Sequence, residues 1–216
     1  MSWYVTDDEF AAIDGAKKRA DKGPSLRRFY LPAEKSNEIT FVTDLPFVFK
    51  EHNLSLDGHW RNWFTCTQSD CPLCRMGNNA YLASAWLIID HSVWQDRDGN
   101  THQDELRLFV AKSRVGSRLK RIREKKGTLR GLRVEAFRSE RMAANTGDQF
   151  TVEEAYSDSN LKKLGWWPTE DDENYNGTLR REVWAELFAP KDKADLTAIV
   201  SRIADEEDDE DAPVRF

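Results

Sequence analysis

The chain has 216 residues and a formal net charge of −6, with 39% hydrophobic and 32% charged residues. No apolar run approaches the ~20 residues of a transmembrane helix. Acidic residues occupy the N-terminus, where a secretory signal would be basic and then apolar. Three cysteines within nine residues fit a reducing compartment better than a disulfide framework. We therefore expect a soluble cytoplasmic protein, and membrane-spanning and disulfide-stapled secreted classes are excluded.

The first half of the chain predicts one helix followed by short strands. Thr6 can cap a helix that runs to about residue 21, and Gly23-Pro24 ends it. A cysteine-bearing loop is expected at about 53–78. Strand-like stretches lie between turn signals at 25–31, 37–43, 47–51, 83–94 and 104–111. The turn Asp98-Gly99-Asn100 is expected to join the last two.

The second half mixes helical and strand patterns. Val115, Leu119 and Ile122 recur at helical spacing, which predicts an amphipathic helix over 114–126 that Gly127 ends. The remaining predicted elements are strands at 131–139 and 149–156, a polar irregular segment at 157–178, and helices at 179–188 and 193–204.

Together these elements predict a mainly β protein of the α+β class. Short antiparallel strands with one helix inserted late fit an OB-fold-like small Greek-key barrel, here with a zinc-ribbon-like insertion and flanking helices. Periodicity alone leaves another barrel or a sandwich open. The expected division is an N-terminal helical arm (1–24), a barrel core (25–156), a C-terminal helical extension (157–204) and a disordered acidic tail (205–216).

The cysteines have the spacing of a metal site. Cys71-Pro-Leu-Cys74 lets two thiolates bind one ion from a single turn, and Cys66 supplies a third. A structural zinc needs a fourth ligand, for which the histidine candidates are His52, His59, His91 and His102. A catalytic zinc is disfavoured, because four protein ligands leave no position for water and no H-x-E motif is present.

A basic segment and many aromatic residues point to a polyanion with unpaired bases. Residues 112–141 hold twelve Lys or Arg against three Glu, which favours phosphate binding. Rings interleaved with basic residues suit stacking on a single strand, whereas Trp86, Phe109 and Phe150 are expected in the core. The candidate single-strand contacts are Arg28, Tyr30, Trp60, Arg61, Trp63, Lys112, Arg114, Arg118, Lys120, Arg121, Lys125 and Arg138.

The C-terminus combines charge with a terminal ring. Seven consecutive acids at 205–211 precede Phe216, and without residues 205–216 the chain has no net charge. A run of like charge predicts a solvated, disordered tail. The ring and carboxylate of Phe216 make a handle for a partner protein, with Asp208, Asp209 and Asp211 as accompanying contacts.

These features resemble phage single-stranded DNA-binding proteins, namely the zinc-containing OB-fold group related to the T-even phage helix-destabilising protein. The residues that carry the resemblance are His52, Cys66, Cys71-Pro-Leu-Cys74, the basic helix with Gly127-Thr128, and the acidic tail ending in Phe216. The spacing from Cys66 to Cys71 is shorter than in the T-even protein. The resemblance implies that His52 is the fourth zinc ligand and that the chain adopts an OB fold. It also implies that the protein works in the host bacterial cytoplasm.

The same resemblance implies a non-catalytic role. The protein would coat single-stranded DNA during phage replication, recombination and repair, self-associate along it, and recruit replication or recombination proteins through its tail. Two alternatives stay open from the residues. One is an RNA-binding or transcription-associated zinc-ribbon protein. The other is a metal-dependent nuclease, for which the acidic run 170–173 supplies carboxylates but without a spaced partner motif.

Overall fold

The computed structural model describes residues 26–56, 59–95, 99–164 and 181–210, with the backbone alone at 56, 59–61, 181–182 and 204–210. The strands in this part of the chain are β1 (Lys35–Phe41), β2 (Phe47–Leu56), β3 (His59–Thr65), β4 (Tyr81–Asp90), β5 (Trp94–Gln95), β6 (Thr101–His102), β7 (Glu105–Lys112), β8 (Leu132–Arg138) and β9 (Gln149–Ala155). The helices are α1 (Pro72–Arg75), α2 (Ser113–Lys126), α3 (Asp158–Lys163), α4 (Arg181–Leu187) and α5 (Lys193–Glu210).

One antiparallel sheet organises the molecule. Its order is β3-β2-β4-β1-β8-β9, and β7 pairs with the other edge of β4. The first half of β4 pairs with β2 and its second half with β1, so β4 is the central strand. Strands β5 and β6 form a separate two-stranded sheet. The described strands do not close into a barrel. The strands and helices together confirm a mainly β protein of the α+β class.

Both faces of β4 are buried. Trp86 and Ile88 point into a cluster covered by α2 through Val115 and Leu119. The alternate residues of β4, Ala83, Ala85, Leu87 and Ile89, point into a second cluster covered by α3 and α4. Because successive side chains of β4 point to opposite faces and both faces are buried, the strand is apolar at nearly every position. The predicted core residues Trp86 and Phe109 are buried, and Phe150 packs against the first cluster.

Helix α2 confirms the predicted amphipathic helix. It buries Val115 and Leu119, and Gly127 ends it with φ 88. Asp44 fixes this end, because its carboxylate accepts bonds from Arg123, from the Thr128 hydroxyl at 2.8 Å and from the Leu129 N–H at 2.8 Å. The basic outer face of the helix is thereby held at a defined angle to the sheet.

Several predicted boundaries are wrong. Segment 25–31 is not a ladder strand in its described part: it is an extended strap with a single parallel bridge from Arg28 to Leu108. The expected loop at 53–78 is largely the β2–β3 hairpin followed by α1, because the hairpin extends the sheet. The strand expected at 83–94 ends at Asp90. The segment at 157–178, which was expected to be irregular, contains α3. The side chain of Ser157, the N-cap of this helix, accepts a bond from the Asn160 N–H.

The predicted disordered tail also needs correction. Helix α5 continues to Glu210, so residues 205–210 are helical. Three of residues 205–210 are Glu, a good helix former, and extending a formed helix costs far less than starting one. Residues 211–216 and the predicted helix at 6–21 lie outside the described residues. Among the described helices, none combines the length and apolar character that a membrane crossing requires.

Candidate metal centre and adjoining cleft

One histidine and three cysteines meet beside the β2–β3 hairpin. His52 lies on β2, Cys66 directly follows β3, and Cys71 and Cys74 are the N-cap and third residue of α1. Their candidate ligand atoms all lie within 4.8 Å of one another. Among the described side chains, His52 is therefore the histidine that the fold brings to the thiols.

The distances within this cluster fit a tetrahedral metal ion. His52 Nε2 lies 3.4 Å from Cys71 Sγ and 3.7 Å from Cys74 Sγ, and the sulfurs of Cys66 and Cys74 are 3.7 Å apart. Zinc at its usual bond lengths would hold thiolates ~3.8 Å apart and a thiolate and imidazole ~3.5 Å apart. The four residues can therefore hold a metal such as zinc with little rearrangement.

The local sequence explains this geometry. Pro72 starts α1, where its missing N–H costs nothing. Cys71 and Cys74 are three positions apart and therefore face the same side of one turn. The imidazole of His52 is oriented by Asn78, whose Oδ1 lies 2.9 Å from Nδ1. A bond donated by Nδ1 leaves Nε2 free to bind a metal, which is the usual arrangement around metal-binding histidines. Asn78 also donates to the Asn53 carbonyl at 3.3 Å.

The thiols do not ionise equally. Burial acts to raise the pKa of Cys71, but bonds from the Cys74 N–H, from the hydroxyl and N–H of Thr67 and from the Leu73 N–H outweigh it and bring that pKa to about 6. Burial and the neighbouring Cys66 raise the pKa of Cys74 to about 11. A bound divalent cation would stabilise all the thiolates, since thiolates are the metal-binding form.

Helix α5 covers the metal centre. Leu196 is fully buried in a cluster that contains Leu54, Cys66, Cys71 and Leu73. Ile199, Val200 and Ile203 pack against the same cluster, and Lys193 forms an ion pair with Asp70. The helical pattern at 193–204 predicted the helix but not its docking site, because no sequence signal pairs it with the cysteines.

A large cleft lies on the other face of the same hairpin. Its volume is about 1140 Å³, and the β2–β3 hairpin, β7, the start of α2, the strap and the loop at 140–148 line it. Of the predicted single-strand contacts, the following line this cleft: Arg28, Tyr30, Trp63, Lys112, Arg114 and Arg118. A sequence-distant set of basic and aromatic residues is thus brought to one concave surface.

The other predicted contacts lie elsewhere. Lys120, Arg121 and Lys125 are exposed on α2 and do not line the cleft. Arg138 is buried and donates to the carbonyls of Leu31 and Arg141, so it holds the strap against the 140–148 loop. The backbones of Trp60 and Arg61 lie on β3, but their side chains are outside the described structure. The same holds for Asp208 and Asp209 on α5, and Asp211 and Phe216 lie outside the described residues altogether.

Part of the basic segment serves the fold. Arg123 pairs with Asp44, Arg130 with Asp158, and Arg133 with Glu38 and Glu154. These guanidiniums tie the ends of strands and helices together, so the charge left for a ligand is smaller than the composition suggests. Sequence reasoning had no means to separate these arginines from those of the cleft.

Glu51, Asn53 and Tyr81 line the cleft but were not among the predicted site residues. Glu51 is 1% exposed and accepts a bond from the Tyr81 hydroxyl at 2.7 Å. Asn53 pairs with Trp63 across the hairpin. Only the alternation of β2 could have located Glu51 and Asn53, since it places them opposite His52. Comparisons with protein-family models, curated proteins and solved structures gave no match to this chain.

Proposed function

We propose that the protein binds single-stranded DNA in the cleft, largely independently of base sequence. The observation that supports this is the convergence of rings and cations on one concave surface: Tyr30, Trp63 and Tyr81 beside Lys112, Arg114 and Arg118. Exposed rings stack on unpaired bases of any sequence, and cations beside them neutralise the backbone. A duplex hides its base faces, so this surface suits single strands better.

The proposal includes a structural zinc and an OB-like arrangement of the strands. The Cys3His set would hold the ion, which would fix the β2–β3 hairpin that carries Trp63. When bound, zinc supplies four bonds to a segment rich in polar residues and so contributes folding free energy. The proposed role is non-catalytic, and of the three acidic residues that line the cleft, Glu51 and Asp148 are bonded to neighbouring side chains.

Within phage replication, recombination and repair, the protein would coat and protect exposed strands. The acidic segment from residue 205 and Phe216 would recruit partner proteins, and the acids would compete with DNA for the basic cleft. Replacing the seven acids at 205–211 with Ser and Asn should raise single-strand affinity at low salt. Phe216→Ala should leave that affinity unchanged and weaken partner recruitment only.

A competition titration tests the binding proposal. Single-stranded DNA, single-stranded RNA and duplex DNA of matched length are titrated, with tryptophan fluorescence as the signal. We expect single-stranded DNA to bind most tightly. Preferred binding of RNA would favour the RNA-binding alternative, and tighter binding of duplex would overturn the proposal.

Charge-matched variants locate the site. Arg114→Ala with Arg118→Ala removes two cations that line the cleft, whereas Arg121→Ala with Lys125→Ala removes two from the same helix outside it. We expect the first pair to weaken binding strongly and the second to have a small effect. Equal losses would contradict the assignment of the cleft as the binding site.

A further inference from the structure

Arg28 occupies an unusual position in the cleft. Its guanidinium forms an ion pair with Glu51, and the two side chains are 24% and 1% exposed. Glu51 also accepts a bond from Tyr81, so two donors satisfy its buried carboxylate. A buried carboxylate of this kind holds its partner firmly, because separating the pair would leave an uncompensated charge.

The same guanidinium lies over an aromatic ring. Arg28 Cζ is 4.6 Å from the centroid of Trp63 and 6.0 Å from that of Phe188. Arg28 and Trp63 also form part of the wall between the main cleft and a smaller pocket beside Phe188. A planar cation fixed against an indole presents a flat, delocalised surface of the kind on which nucleobases stack.

The charge of Arg28 is already compensated, which distinguishes it from Arg114. Arg114 is exposed and has no ion pair with any residue that the structure describes. A cation that neutralises a phosphate releases a counterion and makes binding depend on salt. Arg28 has its counter-charge in Glu51, so it has little reason to take a phosphate.

We propose that Arg28 and Trp63 form a charge-neutral stacking platform for one unpaired base, with Glu51 as the positioning residue that holds Arg28 on the ring. This inference rests on the proposed single-strand binding and assigns one step of it to named atoms. It narrows the role expected for Arg28 from a general single-strand contact to a base contact.

The salt dependence of binding tests the platform. Affinity for oligothymidylate is measured over a range of salt concentrations for the wild-type protein, for Arg114→Ala and for the double variant Arg28→Ala with Glu51→Gln, which removes the platform cation without leaving a lone carboxylate. We expect the double variant to weaken binding about 5- to 150-fold at every salt concentration with an unchanged slope. Arg114→Ala should make the slope shallower by about 0.7. A slope change in the double variant equal to that in Arg114→Ala would overturn the platform.

Abasic oligonucleotides give a second readout. A strand without bases retains its phosphates, so wild-type protein and the double variant should bind it with nearly equal affinity. A full-sized loss on the abasic strand would contradict the base contact. Zinc content and thermal unfolding of the double variant are checked, and Trp63→Leu serves as a second variant that removes the ring instead of the cation.

Glu51→Gln tests the positioning role. It keeps the shape of the side chain and removes its charge, which leaves Arg28 uncompensated. We expect the salt slope to steepen by about 0.7, because Arg28 can then take a phosphate. An unchanged slope in folded Glu51→Gln would overturn the role of Glu51. Failure of the wild-type protein to bind any single strand at low salt would instead overturn the proposed function, so the two failures are distinguishable.

Discussion

His52 and Glu51 are consecutive residues of β2 whose side chains lie on opposite faces of one hairpin. His52 Nε2 lies 3.4 Å from Cys71 Sγ, whereas the Glu51 carboxylate accepts the Tyr81 hydroxyl at 2.7 Å on the cleft side. Neighbouring residues of a strand always point to opposite faces. The β2–β3 hairpin is therefore a wall of both the metal centre and the cleft. A change that disturbs the hairpin at the metal centre is expected to displace the side chains that line the cleft.

The first prediction concerns the fourth metal ligand. The purified protein should bind one equivalent of zinc, and His52→Ala should lose it, because Nε2 is the only described imidazole nitrogen near the thiols. Metal content by elemental analysis and thermal unfolding provide the measurement. Loss of a structural zinc removes a large part of the folding free energy of the segment that it holds.

His59→Ala is the matched control. His59 starts β3 on the same hairpin, so this variant changes the same residue type nearby and should retain zinc. Stoichiometric zinc in Cys71→Ser would rule out the proposed centre. Zinc retained by His52→Ala and lost by His59→Ala would assign the other histidine.

A second prediction links the metal to α5. Leu196, Ile199 and Val200 pack on a cluster that includes Cys66 and Cys71. Removal of zinc by a chelator should therefore undock the helix that carries the acids at 205–210. Hydrogen exchange should show faster exchange over 193–203, with slow exchange retained in β4, which lies in the central sheet.

Leu196→Ala tests the same docking without disturbing the ligands. Truncating a fully buried Leu typically costs 2–5 kcal/mol, so α5 should exchange faster while zinc stays bound. Thr197→Ala is the control, since Thr197 is exposed on the same helix and its hydroxyl donates to the Lys193 carbonyl. Unchanged exchange over α5 after zinc removal would show that the helix docks independently of the metal.

The sequence predicted the elements that depend on local pattern. The spacing of Val115 and Leu119 located α2, and the C-x2-C turn located the metal centre, because both signals lie within a few residues. The choice of His52 needed the resemblance to a family, since spacing alone does not tell how far β2 extends. The structure places its imidazole at the thiols through pairing of β2 with β3.

What sequence reasoning missed depends on long-range pairing. Glu51 read as the end of a strand, yet the fold makes it a buried partner of Arg28, 23 positions earlier. Arg138 read as a DNA contact, yet it is buried against the Leu31 carbonyl. No local pattern separates an arginine that binds a ligand from one that joins two segments. The docking of α5 on the metal centre was missed for the same reason.

A third prediction concerns pH. Burial acts to raise the pKa of Asp44, but bonds from Arg123, Leu129 and Thr128 outweigh it and lower that pKa below 3.8. Because the folded pKa is below the unfolded one, the stabilisation is complete above about pH 4 and is lost as pH falls through the folded pKa. Asp44→Asn should therefore unfold at lower temperature than wild type at pH 7, and the difference should shrink at pH 3.

Glu124→Gln is the control for this pH series. Glu124 is exposed on the same helix and forms an ion pair with the exposed Lys120 at 3.8 Å. Exposed pairs of this kind contribute little to stability, so the unfolding temperature should change little at pH 7. A difference between Asp44→Asn and wild type that stays constant from pH 7 to pH 3 would refute the assigned role of the carboxylate.

A fourth prediction concerns Gly131. Its φ is +77, and a Cβ there would overlap the carbonyl oxygen of Tyr156. The same backbone unit bonds Phe41 and Tyr156 at 2.8 and 2.7 Å, so it cannot shift without breaking the junction of β1, β8 and β9. Gly131→Ala should therefore lower the free energy of unfolding by about 3 kcal/mol or more, measured by denaturant titration.

Gly127→Ala separates the two causes of that loss. Gly127 has a similar φ of +88, but a Cβ there meets no atom within 4 Å. It should therefore show only the cost of a left-handed backbone, about 1–2 kcal/mol. The excess in Gly131→Ala measures the clash with Tyr156. Equal losses in the two variants would mean that the β8–β9 junction can relax around a side chain, so that backbone conformation alone requires glycine at both positions.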